Sequence, residues 1–344
     1  MSTSLYTGRR PPRRPITADR QETGMNRFAT RFAQAARAGL LAAGLTAGLA
    51  SGALAQAEPA AADRPDYAAI EGDPALWVVE DEDSTLYLFG SFHILPPELG
   101  WRSEEVAAAF SEADTIWFEA DVFSEDAAAQ MQALVPQLGV NEPGVTLSSL
   151  IDDEAEADLA AFAEMLGAQP DVLMANIDQF RPWFASLRLA IAGIQALGYD
   201  PNSGVERVLH ADAVEAGKEF GYFETIEQQL RFFADMPLEA QVAEFELSIA
   251  DMVDNPDQIE DLAVAWATGD METIDRIMNE SLRDTGSGLY ERLIVERNED
   301  WIPQIEAILD GEGVDFVAVG VGHMPGDAGV IALMRAEGHE VTRR

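Results

Sequence analysis

With 344 residues, 47% of them hydrophobic and every aromatic type present, the chain is long enough to bury one large core or two ordinary ones. Its 61 acidic against 22 basic side chains, with a single lysine at Lys218, give a formal net charge of −39 and argue against nucleic acid as a partner, because neutralising phosphates takes clustered cations. Cysteine is absent, which removes disulfides, thiolate catalysis and thiolate metal sites, so any metal must be held by His, Asp, Glu or water.

The N-terminus reads as an export signal. Arg27, Arg31 and Arg37 precede an uncharged Ala/Leu/Gly run over 38–55 that ends Ala53-Leu54-Ala55, a small-x-small cleavage pattern. Residues 1–55 therefore read as a Sec-type signal peptide with an upstream extension, Met25 opening a conventional start. Cleavage near Ala55 implies a periplasmic or secreted protein. The run is short and alanine-rich for a membrane span, so no stable membrane anchor is expected after cleavage. Residues 56–73, rich in Ala, Pro and Asp, read as a flexible lead-in to a domain over 74–344.

Two apolar runs, 75–79 and 84–89, flank Glu80-Asp81-Glu82-Asp83 and predict a β-hairpin with a solvated acidic turn; the spaced Gly and terminal Glu of a calcium loop are missing. The second run continues Phe89-Gly90-Ser91-Phe92-His93 and is stopped by Pro96-Pro97, which places His93 at a strand end, where ligands bind in open α/β sheets. Ser103 with Glu104-Glu105 predicts a capped helix to 113. A strand over 115–121 follows, and it presents Glu119 between Phe118 and Ala120. A carboxylate in such a run must be paired, ligate a metal or emerge at the strand end.

From 124 to 195 the pattern is helical, with breaks at Pro136, Pro143, Pro170 and Pro182. A loop over 198–204 leads through Gly204-Val205-Glu206 into a helix carrying His210, read as a helix-face histidine. The run 217–225 predicts a strand ending in Glu224, again a carboxylate at the end of an apolar strand, followed by a helix containing Gln228 and Gln229. Helices fill 237–311 with interruptions at Asn255-Pro256 and Gly286 to Gly288; Phe233, Phe245, Trp266 and Met278 take core positions. Finally a strand over 315–319 runs into Gly320-Val321-Gly322-His323 and Met324-Pro325-Gly326, then a helix over 327–337 and a strand over 339–342.

Two of the four histidines thus stand three residues after a glycine, each at a strand end followed by proline, where chance placement gives roughly 0.3 such spacings. The pair, not either copy, is the signal. It predicts an α/β fold: a mixed central sheet from two duplicated strand, Gly-x-x-His, helix, strand halves, with a large helical insertion from about 124 to 311. Central strands lying side by side would bring His93 and His323 together.

No Gly-x-Ser-x-Gly elbow, Walker loop, dinucleotide fingerprint or His-Glu-x-x-His occurs. Two imidazoles and one or two strand-end carboxylates remain. Such a set suits Mn, Co, Fe or Zn, and a bound ion generates hydroxide near neutrality. Without a metal, His93 is a base and Glu119 its orienter. Gly90 and Gly320 would let backbone approach closely.

The chain resembles the TraB/PrgY/GumN family, which includes the Tiki proteases and is related in fold to erythromycin esterases and ChaN-like haem-binding proteins. The resemblance covers roughly residues 76–344 and is nearest to GumN-like bacterial proteins. Its marks are Tyr87 to Pro96, Phe118-Glu119-Ala120-Asp121, Arg181-Pro182-Trp183, Gly204-Val205-Glu206, Phe223-Glu224-Thr225 with Gln229-Leu230, Arg297-Asn298 with Trp301, and Val319 to Met324. Phe118-Glu119-Ala120-Asp121 departs from the more usual Leu-Glu-Leu-Asp but keeps the glutamate. The resemblance implies a site of His93, Glu119 and His323 as catalytic groups or metal ligands, with Gly90, Gly320, Glu206 and Glu224 in support. By analogy with the Tiki proteins it implies a divalent-metal-dependent hydrolase (Mn, Co or Zn) acting on peptides. The alternative is a non-catalytic protein that sequesters a peptide, haem or envelope ligand in the same cleft.

Overall fold

The computed structural model describes residues 64–344, so the export signal expected over 1–55 lies outside the described residues. Strands β1 (Leu76–Glu80) and β2 (Ser84–Ser91) pair antiparallel, as the hairpin reading requires. Their acidic turn closes on itself, because the Asp81 carboxylate accepts from the Ser84 amide at 2.9 Å and the Ser84 hydroxyl at 2.7 Å.

The two strands that end in Gly-x-x-His lie side by side. Strand β5 (Gly313–Gly320) pairs with β2 in parallel, from Ser84 opposite Gly313 to Ser91 opposite Gly320. Beyond β5 come β3 (Thr115–Ala120) and the edge strand β4 (Glu219–Glu224), both parallel to it; beyond β1 comes β6 (Val341–Arg343). The order is β4-β3-β5-β2-β1-β6, a mixed six-stranded sheet.

The halves share an order of elements but not an equal place. Helix Glu104–Glu112 packs Val106 and Phe110 on the sheet face that carries Phe89 and Phe316, and the chain then enters β3 directly beside β5. Helix Val330–Ala336 packs Val330, Ile331 and Met334 on the opposite face, against Leu86, Leu88 and Val317. Its strand, β6, is only three residues long and pairs with β1. The hairpin explains the difference: β1 already occupies the side of β2 that a symmetric partner would need.

One expectation changes. Order does not wait for Pro74: Tyr67 is buried with its hydroxyl 2.8 Å from that of Tyr199, and Arg64 Nε lies 3.5 Å from Glu260 Oε1. Residues 64–73 of the expected flexible lead-in are therefore packed. The insertion supplies the strand expected over 217–225, which is β4. Its helices Asp153–Met165, Pro170–Ile177, Pro182–Ala196 and Leu238–Asp254 build a third core of their own around Leu159, Phe162, Leu189 and Phe245. Among the described residues no helix is long and apolar enough to cross a membrane.

Candidate functional site at the carboxyl edge of the sheet

Strands β2, β3, β4 and β5 all run the same way, so their carboxyl ends deliver Ser91, Glu119, Glu224 and Gly320 to one edge. The insertion clamps both Gly-x-x-His turns there. Trp266 Nε1 donates to Gly90 O at 2.7 Å and Asn279 Nδ2 to Gly322 O at 3.0 Å. Asn279 belongs to a π-helical stretch, Asp275–Glu280, and a second such stretch, Glu291–Val295, comes just before Arg297; widened turns of this kind recur at functional sites.

His93 sits against the start of helix Val205–Ala216. A side chain at Gly204 would place its Cβ 1.8 Å from His93 O, so only glycine lets the helix begin there, and the Val205 amide donates to Phe92 O at 3.0 Å. That contact delivers Glu206, whose Oε1 lies 2.5 Å from His93 Nδ1 and also accepts from the Ser91 hydroxyl. Among the described residues, His93 Nε2 is buried without a partner. Burial alone would lower the imidazole's pKa, but adjacent Glu206, and then Glu119, outweigh it and raise the value. Burial would raise the Glu206 pKa, and His93 with Ser91 reverse that and lower it.

His323 is the opposite case. Its Nε2 lies 2.9 Å from Arg297 Nη1 and its Nδ1 2.6 Å from Asn298 Oδ1. A guanidinium can only donate, so Nε2 is the acceptor and Nδ1 carries the proton. The Asn298 amide agrees, because its Nδ2 donates to His323 O at 3.2 Å and Ala328 O at 2.7 Å, leaving Oδ1 to accept. Trp301 covers the ring at 4.4 Å between centroids. Burial, then the neighbouring Arg297 and His93, hold this histidine well below its usual pKa.

Arg297 is the hub. Its five N–H groups meet five acceptors. Nε donates to Glu224 Oε1 at 2.7 Å, Nη2 to Glu119 Oε2 at 2.6 Å and Glu224 Oε2 at 2.9 Å, and Nη1 to Leu293 O at 3.3 Å as well as to His323. Gln229 Nε2 bridges the same two carboxylates at 3.0 and 3.1 Å, and Trp301 Nε1 donates to Glu224 Oε1 at 3.0 Å. The other oxygen of Glu119 accepts from the Gly320 amide at 2.8 Å.

The two motif glycines do different work. Gly90 stands opposite Val319 and Gly320 opposite Ser91, a register offset of one residue. A Cβ on Gly90 would come within 2.8 Å of Val321 Cγ2, so this glycine serves packing. Gly320 has φ −49°, open to any residue. Its Cβ would lie 3.1 Å from Glu119 Oε1, 3.6 Å from His93 Nε2 and 3.7 Å from His323 Cδ2. Gly320 therefore keeps open a small cradle that His93, Glu119 and His323 all border.

The structure thus gathers the side chains expected to form the site: His93, Glu119 and His323 around the cradle, Glu206 behind His93, Glu224 behind Arg297. The pairing of His93 with Glu119 as its orienter is corrected, since Glu206 holds Nδ1. Arg297 and Asn298 entered the sequence reading only as marks of resemblance. Their signal was periodic: Arg297, Trp301 and Ile305 recur every four residues along the buried face of helix Glu296–Leu309.

Among the described residues no group of three or more His, Asp or Glu side chains is arranged to hold a metal ion. His93 and Glu119 fit a cation. The orphaned Nε2 and Glu119 Oε1 border the same cradle, and the carboxylates of Glu119, Glu206 and Glu224, whose side chains are 8, 11 and 6% exposed, outnumber Arg297 and His93 even when the latter is charged. His323 does not fit: its Nε2, though 3.8 Å from Glu119 Oε1, has its lone pair taken by Arg297 at 2.9 Å, and Cδ2 is the ring atom nearest the cradle.

Fold and site together define an α/β protein with a buried His/Glu/Arg centre at the carboxyl edge of a mixed sheet. Over residues 75–343 the chain matches the model of the TraB/PrgY/gumN family, and it belongs to that family. No curated protein and no solved structure matches it.

Proposed function

We propose that this protein is a hydrolase, exported to the periplasm or beyond, that acts on peptides, with His93 and Glu119 at its centre. One observation carries the reading: a buried imidazole nitrogen with no partner borders a cradle that one missing methyl group keeps open beside a carboxylate. A water there could donate one proton to His93 Nε2 and the other to Glu119 Oε1, which is the placement general-base catalysis needs. His93 retains 8% exposure and Glu119 7%, against none for His323.

The metal-dependent form of this reading is supported by the excess of buried negative charge. His93 and Glu119 would hold the cation, which when bound would supply Lewis-acid polarisation and hydroxide near neutral pH. Peptide libraries incubated with the purified protein, with and without added Mn, Co or Zn, test both forms. Expected is turnover that disappears in His93→Ala and in Glu119→Gln while both variants stay folded. Saturable binding of peptide, haem or an envelope ligand without cleavage would overturn the enzyme in favour of a sequestering protein, and turnover indifferent to a chelator would overturn the metal.

A further inference from the structure

General-base action by His93 needs a lone pair on Nε2, and a neutral imidazole carries its single proton on one nitrogen or the other. Two neighbours and one unbonded nitrogen decide which. Glu206 Oε1 lies 2.5 Å from Nδ1, the Ser91 hydroxyl donates to that same oxygen, and nothing in the described chain bonds to Nε2. An ionised carboxylate only accepts, so Nδ1 must be the donor. Glu206 is kept ionised by its place as well as its partners: it is the second residue of helix Val205–Ala216, where the free amides and the helix dipole favour negative charge. Gly204, with no room for a Cβ, and the Val205 to Phe92 hydrogen bond press that helix start onto the turn carrying His93.

We propose that Glu206, steadied by Ser91, is a positioning residue that fixes the His93 proton on Nδ1 and thereby presents the Nε2 lone pair to the Gly320 cradle. The proposal rests on the hydrolase reading for its purpose but not for its test. Long-range 1H–15N spectra at alkaline pH read the tautomer of each neutral ring directly, and only four histidines contribute, with His93→Gln assigning its signal. The wild type should show the Nδ1–H form.

Glu206→Gln keeps the shape but offers an amide that can donate to Nδ1. Its spectrum should move to the Nε2–H form, and turnover should fall by a factor on the order of 10³–10⁴, as when a catalytic histidine is held in the wrong tautomer. Ser91→Ala should keep the Nδ1–H form with a smaller fall. An Nε2–H signal in the wild type, or an unchanged tautomer in folded Glu206→Gln, overturns the proposal; if Glu206→Gln does not fold, the wild-type and Ser91→Ala spectra decide alone. A tautomer that switches as stated in a protein that cleaves no peptide overturns the hydrolase and leaves this assignment standing.

Discussion

At the first Gly-x-x-His turn the imidazole keeps one nitrogen free and some contact with solvent; at the second both nitrogens are bonded and the ring is sealed under Trp301. The same four-residue pattern on adjacent parallel strands therefore ends in two different chemistries. The cause lies outside the motifs. Glu206 reaches the first histidine from a helix start and leaves Nε2 bare, while Arg297 and Asn298, consecutive on one helix, take both nitrogens of the second. A motif repeat brings two side chains to one place, and the partners that arrive there separately decide what each can do.

The strongest way to break this comparison is to remove the hub of the sealed side. Arg297→Met strands Glu119 and Glu224 as buried charges and frees the His323 lone pair, and should destabilise the fold by about 3–5 kcal/mol in urea unfolding. A loss within experimental error of zero would mean that the carboxylates relax to water and that the hub is not structural.

Next come the two glycines, which sharpen the contrast in opposite directions. Gly90→Ala forces a methyl against Val321 and should lower stability by about 1–3 kcal/mol. Gly320→Ala needs only a few tenths of an ångström from Glu119 and should leave the unfolding free energy within about 1 kcal/mol while abolishing any activity that uses the cradle. Equal stability losses in the two variants would show that both glycines are packing residues.

The smallest effect concerns His210, which sits between Phe123 and Phe220 at 4.4 and 4.8 Å and whose pKa is lowered from 6.5, mainly by burial. Below pH 6.5 the unfolded chain binds a proton that the folded ring resists, so this histidine's contribution to stability is full above 6.5 and is lost as pH falls toward the depressed folded value. Comparing wild type with His210→Phe by chemical denaturation at pH 7.5 and pH 5.5 isolates the difference. Parallel pH profiles would show that this ring titrates as if it were in water.

What was legible in the sequence was whatever neighbours along the chain decide. Apolar runs stopped by glycine and proline marked β2 and β5, and a lone carboxylate in an apolar strand marked Glu119, because strand ends and buried charges are local facts. Ser103 caps its helix through a contact spanning three residues and was equally open to reading. The sealing of His323 was not legible, because it depends on how helix Glu296–Leu309 is rotated over the sheet. Glu206 could be flagged by resemblance, but its bond to His93 depends on a close approach between Gly204 and a turn more than a hundred residues earlier. The edge position of β4 was likewise a matter of sheet order, which alternation of residues does not encode.

The pairing of β2 with β5 joins residues 84–91 to 313–320 and spans most of the described chain. During synthesis the N-terminal histidine, its carboxylate and the helix behind it can all exist before the strand that completes the cradle has left the ribosome. No truncated product that ends short of residue 323 can carry the assembled centre, so whatever chemistry it performs is withheld until the second Gly-x-x-His turn has been made.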